Sequence, residues 1–348
     1  MTPRDQQIQA LLAHGGFAGA TFAPLAGDAS FRRYVRVTGA HKSAMLMDAP
    51  PDKEDVRPYI TIARYMHGRG CSVPAILGAD EANGLVLLED LGDDTFTRVL
   101  AKENGKDTLL YEKAIDVLAE WHDARRGFSN RQALALPIYD EALLLRETQL
   151  FADWYMPQVM GMAQARALGA EYVELWRQII AAAPLAHDQF VHRDYHADNL
   201  IWLPQREGSQ QVGLLDFQDA VYGDAAYDLV SLLEDARRDV PPALADAMLK
   251  RYLAASKTDA TRFLTAYAVL GAQRNSKIIG IFARLAARDG KQHYLSYLPR
   301  VWSHMQQDLK HPAMVSLKNW LDIHIKPEWR GAITLRHNAE ELVRFACA

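Results

Sequence analysis

In residues 192–199, HRDYHADN, two imidazoles and two carboxylates, His192, Asp194, His196 and Asp198, fall at every second position. On a strand these four would share a face. Two imidazoles and two carboxylates on one face could hold a metal ion for hydrolysis. A hydrolytic metal site needs further His or carboxylate ligands to close it. Histidine is absent from 197 to 292, and Asn199 has no job in that scheme. As a loop, the same residues spell His-x-Asp-x-x-x-x-Asn, a carboxylate followed by an amide oxygen.

That second pattern suits phosphoryl transfer. The chemistry needs a carboxylate to accept or orient the acceptor hydroxyl, oxygen ligands for Mg²⁺, and groups that hold the nucleotide phosphates. Asp194 supplies the first and Asn199 the amide ligand. A hard anionic ligand follows at Asp216, within LLDFQDA (214–220). His192 reads as a scaffold of the loop, and His196 is left open. Asp219 lines the metal or sugar site or is a solvated loop carboxylate.

Two strands should carry these residues, LIWL (200–203) and VGLLD (212–216). Upstream, SFRRYVRV (30–37) alternates and is followed by a turn and the apolar SAMLMD (43–48), a hairpin stopped by Pro50 and Pro51. Helical spacing covers 54–68. PAILGAD and LVLLED flank Asn83-Gly84, a signal for a two-residue hairpin turn. After 91–94 the pattern turns helical, over 95–101, 109–125, 139–165 and 170–183. From 225 it is almost continuous, over 225–237, 241–255, 260–288, 291–308 and 314–324. The plan is α+β: a small β-rich N-terminal lobe (1–90), a hinge near 89–93, and a larger helical C-terminal lobe (91–348) that keeps a few short strands. A ligand cleft is expected at the lobe junction.

Bulk properties agree with a soluble enzyme. The chain has 348 residues, 49% apolar and 24% charged, with a net charge of −4. No bulk basicity points to nucleic acid. Only Cys71 and Cys347 are present, which excludes a disulfide framework and fits a reducing, cytoplasmic setting. The N-terminus lacks a signal core, and no apolar run approaches a membrane span. A monomer with a small-molecule substrate is expected, without nucleic-acid or membrane partners.

The paired motifs resemble the aminoglycoside-phosphotransferase-like branch of the two-lobed protein-kinase-like fold, with Asp-Phe-Gln standing where protein kinases have Asp-Phe-Gly. DASFRRYVRV, MLMDAPP, DFQDAVYGDAAYDLVSLLEDAR and GAQRNSKIIGIFARLAARDGKQHYLSYLPRV are similar to the anomeric N-acetylmuramate/N-acetylglucosamine kinases of bacterial cell-wall recycling. The similarity runs from about residue 20 to 310. It implies ATP, Mg²⁺ and phosphate placed on the sugar C1 hydroxyl. It also implies that adenine lies against the backbone of Glu89, Asp90 and Leu91, and that Asp228 braces the catalytic loop. The chain departs from the kinase pattern in its small lobe. The loop LAGDASFRR has one glycine, Gly27, and SAMLMD has no central lysine; Lys42 precedes it. Arg32 or Arg33 is the candidate phosphate cation, since guanidinium binds phosphate bidentately. The alternative for both is a surface arginine.

Residues 262–300 hold seven Lys or Arg against one acid, Asp289. Arg274, Lys277, Arg284 and Arg288 follow helical spacing opposite Ile278, Phe282 and Leu285. This reads either as a solvated basic face or as a pocket for an acidic or neutral sugar; N-acetylmuramate carries a lactyl carboxylate. Gln273 and Arg274 are the first substrate-binding candidates, with Tyr222 and Glu234 after them. Other readings keep the fold and change the acceptor to an aminoglycoside, choline or homoserine, or make the chain a nucleotide-binding pseudokinase.

Overall fold

The structure, a computed structural model, describes residues 2–25, 32–103, 105–123, 128 and 130–346. Most of the expected phosphate loop, Gly27 included, lies outside the described residues, as does Cys347. In chain order the elements begin with helix α1 (Pro3–His14), strands β1 (Thr21–Pro24), β2 (Arg33–Thr38) and β3 (Ser43–Asp48), helix α2 (Arg57–Gly68), and strands β4 (Ile76–Asp80) and β5 (Leu85–Glu89). Helices α3 (Phe96–Lys102), α4 (Asp107–His122), α5 (Glu141–Leu150), α6 (Met156–Met160) and α7 (Met162–Ala182) follow. Then come strands β6 (Gln189–Val191), β7 (Leu200–Trp202), β8 (Val212–Leu214) and β9 (Val221–Gly223). The remainder is helical: α8 (Ala226–Leu233), α9 (Pro242–Ser256), α10 (Ala260–Arg288), α11 (Leu298–Asp308), α12 (Val315–His324) and α13 (Ala339–Ala346). No helix among the described residues is long and apolar enough to cross a membrane.

The chain divides into two compact units, Met1–Val117 with Ala197–Ala220, and Leu118–His196 with Val221–Ala348. The first unit is built on an antiparallel sheet in the order β1-β2-β3-β5-β4. Alternation along β2 and β3 puts Val37, Ala44 and Leu46 on one face. With Leu85 and Leu87 they pack against Leu11, Leu12 and Phe17. Each such leucine stabilises the unit by roughly 1.5–3 kcal/mol. Strand β1 was not expected. It has no alternation and is exposed throughout, and it survives as an edge strand paired with β2. The two-residue turn expected at Asn83-Gly84 is instead a short 3₁₀ turn, Glu81–Asn83, closed by Gly84 in the left-handed region (φ 63°). The Asp80 side chain accepts from Asn83 N and so lengthens the loop. The β7–β8 hairpin joins this unit through Leu214 N to Ser72 O and Trp202 N to Asp94 O, both 2.8 Å.

In the second unit, α10 is the central element and packs against α5, α8 and α11. The helix expected over 139–165 is broken in two places. Pro157 cannot donate a helical hydrogen bond, and the turn before it, Phe151–Tyr155, widens to a π-turn. Gly161, at φ 86° and ψ 157°, then stops α6, so α7 starts at Met162 rather than near 170. Strand β9 and helix α13 were also unexpected; β9 is three residues long and pairs with β6. The basic face expected on α10 is solvated only at its end. Gln273 and Arg274 are buried, Lys277 and Arg284 half-buried, and Arg288 exposed.

Two contacts of α10 generate predictions. At Gly280 an added Cβ would meet Phe151 N at 2.6 Å, with the Leu150 carbonyl closer still. Backbone cannot yield as a side chain does. Gly280→Ala should therefore destabilise by about 3 kcal/mol or more, read as a lower urea midpoint.

Farther along the same helix, Asn275 Nδ2 bridges Glu234 Oε2 (2.8 Å) and Asp308 Oδ2 (2.9 Å) in the interior. Gly271 makes room for the Asp308 carboxyl. Burial pushes Glu234 up to about 7 and Asp308 well above its ordinary value, so the pair keeps a proton that the unfolded chain releases. The sign follows from linkage. The stability this proton provides is complete below pH ~4.5 and is lost as pH rises through about 7. Thermal melts from pH 5 to 8 should show a falling midpoint, and Asp308→Asn should flatten that slope.

Candidate active site

Residues 192–196 form a loop of the second unit, because β6 ends at Val191, and Ala197–Asn199 belong to the first unit. The four alternating side chains therefore do not share a strand face. Asp228, near the start of α8, receives His192 N (2.6 Å) and Arg193 N (2.9 Å) on its two carboxylate oxygens. Burial pushes the Asp228 carboxyl up to about 7 against the pull of these two bonds. Arg193 sits at φ 74°, a strained conformation for a residue with a Cβ. The His192 ring is fully buried and stacks on Trp121 (6.4 Å between ring centres, 5° between planes), with Tyr195 edge-on. It is a packing element of the loop.

Asp194 follows the strained residue. Burial raises its pKa, but Lys277, His196, His192 and Arg274 outweigh that and hold the carboxyl below its usual range. Burial also lowers the pKa of His196, whose Nε2 lies 3.3 Å from Arg237 Nη1. Arg274 donates from Nη2 to Ser231 Oγ (2.9 Å), while its buried Nη1 has no hydrogen-bond partner among the described residues. Gln273 points elsewhere and donates to Leu144 O (3.1 Å) and Glu147 Oε2 (3.3 Å).

The other two substrate candidates are committed to the interior. Tyr222 O–H lies 3.2 Å from Asn130 O and 3.1 Å from Leu134 O, and Glu234 belongs to the carboxyl pair with Asp308. Their bonding describes framework rather than substrate contacts, because a buried polar group with its partners already in place has little to offer a ligand.

The first unit holds the other group of residues. Asn199 ends a 3₁₀ turn (Ala197–Asn199) that enters β7, and its main-chain oxygen accepts from Leu215 N (2.9 Å). The β7–β8 register thus sets Asn199 beside Leu215, next to Asp216. Asp216 has φ 62°, and its Oδ1 accepts from Gln218 Nε2 (2.9 Å), which also lies 3.4 Å from Asp219 Oδ2. Phe217 packs at 4.8 Å on Tyr59. An amide and a carboxylate are hard oxygen donors. No group of three or more His, Cys, Asp or Glu able to hold a metal occurs among the described residues. This donor set fits a cation such as Mg²⁺, which keeps several waters and phosphate oxygens in its shell.

The two arginine candidates separate. Arg33 is exposed on β2. Arg32 is largely covered, bonds Glu54 (2.6 Å), and interacts electrostatically with Asp216. Lys42 contacts Gly15 O and the Phe17 ring at the hairpin turn. The segment 89–93, expected as a hinge, lies inside the first unit and is held by several bonds. Glu89 N donates to Ala75 O (2.8 Å), so of the three backbone positions proposed for adenine its N–H is already taken; Asp90 and Leu91 follow it. The Glu89 carboxylate bonds Arg206 (2.6 Å). Arg36, unnoticed in the sequence, holds Asp90 and Asp93 through four bonds of 2.8–3.1 Å. A second overlooked residue is Glu147 on α5. Its signal was its helical phase with Leu144, Thr148 and Phe151, which puts an acid on a buried face.

Comparison with known proteins bears on these groups. The model of the phosphotransferase enzyme family APH matches residues 21–264. A protein of Caulobacter vibrioides named N-acetylmuramate/N-acetylglucosamine kinase is 38% identical, over 94% of this chain and 98% of its own. A protein of the same name from Pseudomonas aeruginosa is 39% identical, over 81% and 82% of the two chains. Among solved structures, a spectinomycin phosphotransferase in complex with ADP and spectinomycin shares the fold at 14% identity, with a TM-score of 0.55 over 92% of this chain and 98% of its own. The chain belongs to the phosphotransferase enzyme family and is a kinase of the protein-kinase-like fold, grouped with the relatives named N-acetylmuramate/N-acetylglucosamine kinase.

Proposed function

We propose that this kinase transfers the γ-phosphate of ATP to the anomeric hydroxyl of N-acetylmuramate or N-acetylglucosamine, giving a sugar 1-phosphate. The observation that carries the reading is Asp194, a half-buried carboxylate on the loop after β6, kept ionised by surrounding cations. It takes or orients the C1 hydroxyl proton. A hemiacetal hydroxyl is more acidic than an ordinary alcohol, so a weak base suffices and most of the catalysis is positioning and charge neutralisation. Asn199 and Asp216 would hold Mg²⁺, which supplies charge neutralisation at the phosphates. Arg32 is the phosphate cation of this reading. Its coupling to Asp216 supports it over the exposed Arg33. Asp90 and Leu91 would meet the adenine through their backbone.

The open Nη1 of Arg274 supports a contact to an acidic acceptor. The guanidinium also interacts electrostatically with Asp194, so it lies close to the base that must meet the acceptor. It is the group for the lactyl carboxylate, and N-acetylglucosamine, which lacks that carboxylate, leaves it unused.

Three measurements follow. With ATP, Mg²⁺ and N-acetylmuramate, the protein should release ADP, and phosphorus NMR should show a glycosyl 1-phosphate; a 6-phosphate would refute the reading. Asp194→Asn should bind ATP with near-native affinity in calorimetry and lose turnover. Arg274→Met should raise KM for N-acetylmuramate by roughly 10–100-fold, the loss of a charge-assisted bond of about 1.5–3 kcal/mol, and leave KM for N-acetylglucosamine within about threefold.

A further inference from the structure

The Glu147 carboxylate lies at the centre of a buried network in the second unit. One oxygen accepts from Lys277 Nζ (2.8 Å) and from Arg193 Nη2; the other accepts from the Tyr139 hydroxyl and from Gln273 Nε2 (3.3 Å). Four donors from three parts of the chain fill a carboxylate's acceptor sites. Two of them are cations. Lys277 also lies 3.3 Å from Tyr227 O–H and interacts electrostatically with Asp194. Arg193 is the strained residue immediately before Asp194. Asp228 already holds the backbone of that residue. Glu147 holds its side chain, so the peptide that aims Asp194 is fixed from both ends.

Charge points the same way. Arg193 and Lys277 together carry two positive charges in a buried setting, and Glu147 and Asp194 carry two negative ones. Burial disfavours ionisation of Glu147, yet Lys277 and Arg193 hold its carboxyl below the usual range. Loss of any one of the four leaves a net charge among them, and an unpaired buried charge is costly.

We propose that Glu147 is a positioning residue for phosphoryl transfer: through Arg193 and Lys277 it fixes the aim of Asp194 and the charge beside it, while touching no reacting atom. The proposal rests on Asp194 acting as the acceptor base. It adds a residue that lies outside both catalytic motifs and 47 positions before Asp194.

The test uses Glu147→Gln, which keeps size and loses charge, assayed with ATP, Mg²⁺ and N-acetylmuramate beside Asp194→Asn. Misplacing a catalytic group by about 1 Å costs on the order of 10²-fold. Glu147→Gln should therefore lower kcat by ~30–300-fold per ATP-binding site counted by calorimetry, while KM for ATP stays within about twofold; a smaller folded fraction would lower the number of binding sites and not the rate per site. In the double variant with Lys277→Met the effects should be non-additive, leaving a rate within about threefold of the slower single variant. Should Glu147→Gln fail to accumulate folded, Glu147→Asp keeps the charge at shorter reach and should give an intermediate kcat. A folded Glu147→Gln or Glu147→Asp at the wild-type rate, or effects of Glu147→Gln and Lys277→Met that multiply, would overturn this proposal and leave the Asp194 assignment standing. A near-wild-type rate in Asp194→Asn would overturn both.

Discussion

Much of the second unit depends on one costly arrangement, a carboxylate taken out of water to hold a peptide. Asp228 accepts the main-chain N–H groups of His192 and Arg193 from deep inside the protein. Desolvation works against such a group, and the two bonds are what make its position tolerable. In return the loop acquires a geometry that it could not hold by itself, since Arg193 sits where L-residues seldom do. The ring packing of Trp121, His192 and Tyr195 closes over the same loop. Thus His192 and Arg193, which have no proposed chemistry of their own, set the direction of Asp194, for which it is proposed.

The first unit solves a related problem with different means. Its hairpin carries Asn199 at one end and Asp216 at the other, and antiparallel register brings these ends together. Asp216, like Arg193, has a positive φ. Each unit thus has a strained residue at or next to a proposed site residue, as is common where a backbone must present a side chain against its preference. The neighbouring segment after β5 is rigid for an electrostatic reason, since Arg36 spans Asp90 and Asp93.

Legibility in the sequence followed the range of the interactions. Asp194, Asn199 and Asp216 could be singled out as site candidates because their spacing is local and the chemistry proposed for them is restrictive. Strand β2 and the full extent of α10 were readable from period, and β3 and β5 from short apolar runs bounded by turn and proline signals. Elements whose reason is tertiary were not. Strand β1 exists only because β2 offers it an edge, and β9 because β6 does. The long helix expected over 139–165 concealed a proline and a glycine whose effects needed backbone geometry to weigh. The substrate candidates Tyr222 and Glu234 illustrate the same limit. Their polarity suggested ligand contacts, whereas their partners lie far away in sequence, at Asn130, Leu134, Asn275 and Asp308. Arg274 and Lys277 could be read as a solvated face or as a sugar pocket because amphipathic periodicity cannot distinguish water, a ligand and a buried acid.

The Glu147 network also has a historical consequence. Were Arg193 to drift to glycine, its backbone conformation would become unstrained, but Glu147 and Asp194 would be left with Lys277 as the one cation of the four. Were Glu147 to drift to a neutral residue, Arg193 and Lys277 would be left with Asp194 as the one anion of the four. Neither change comes alone without a net charge in the interior, so charge balance ties the two positions together.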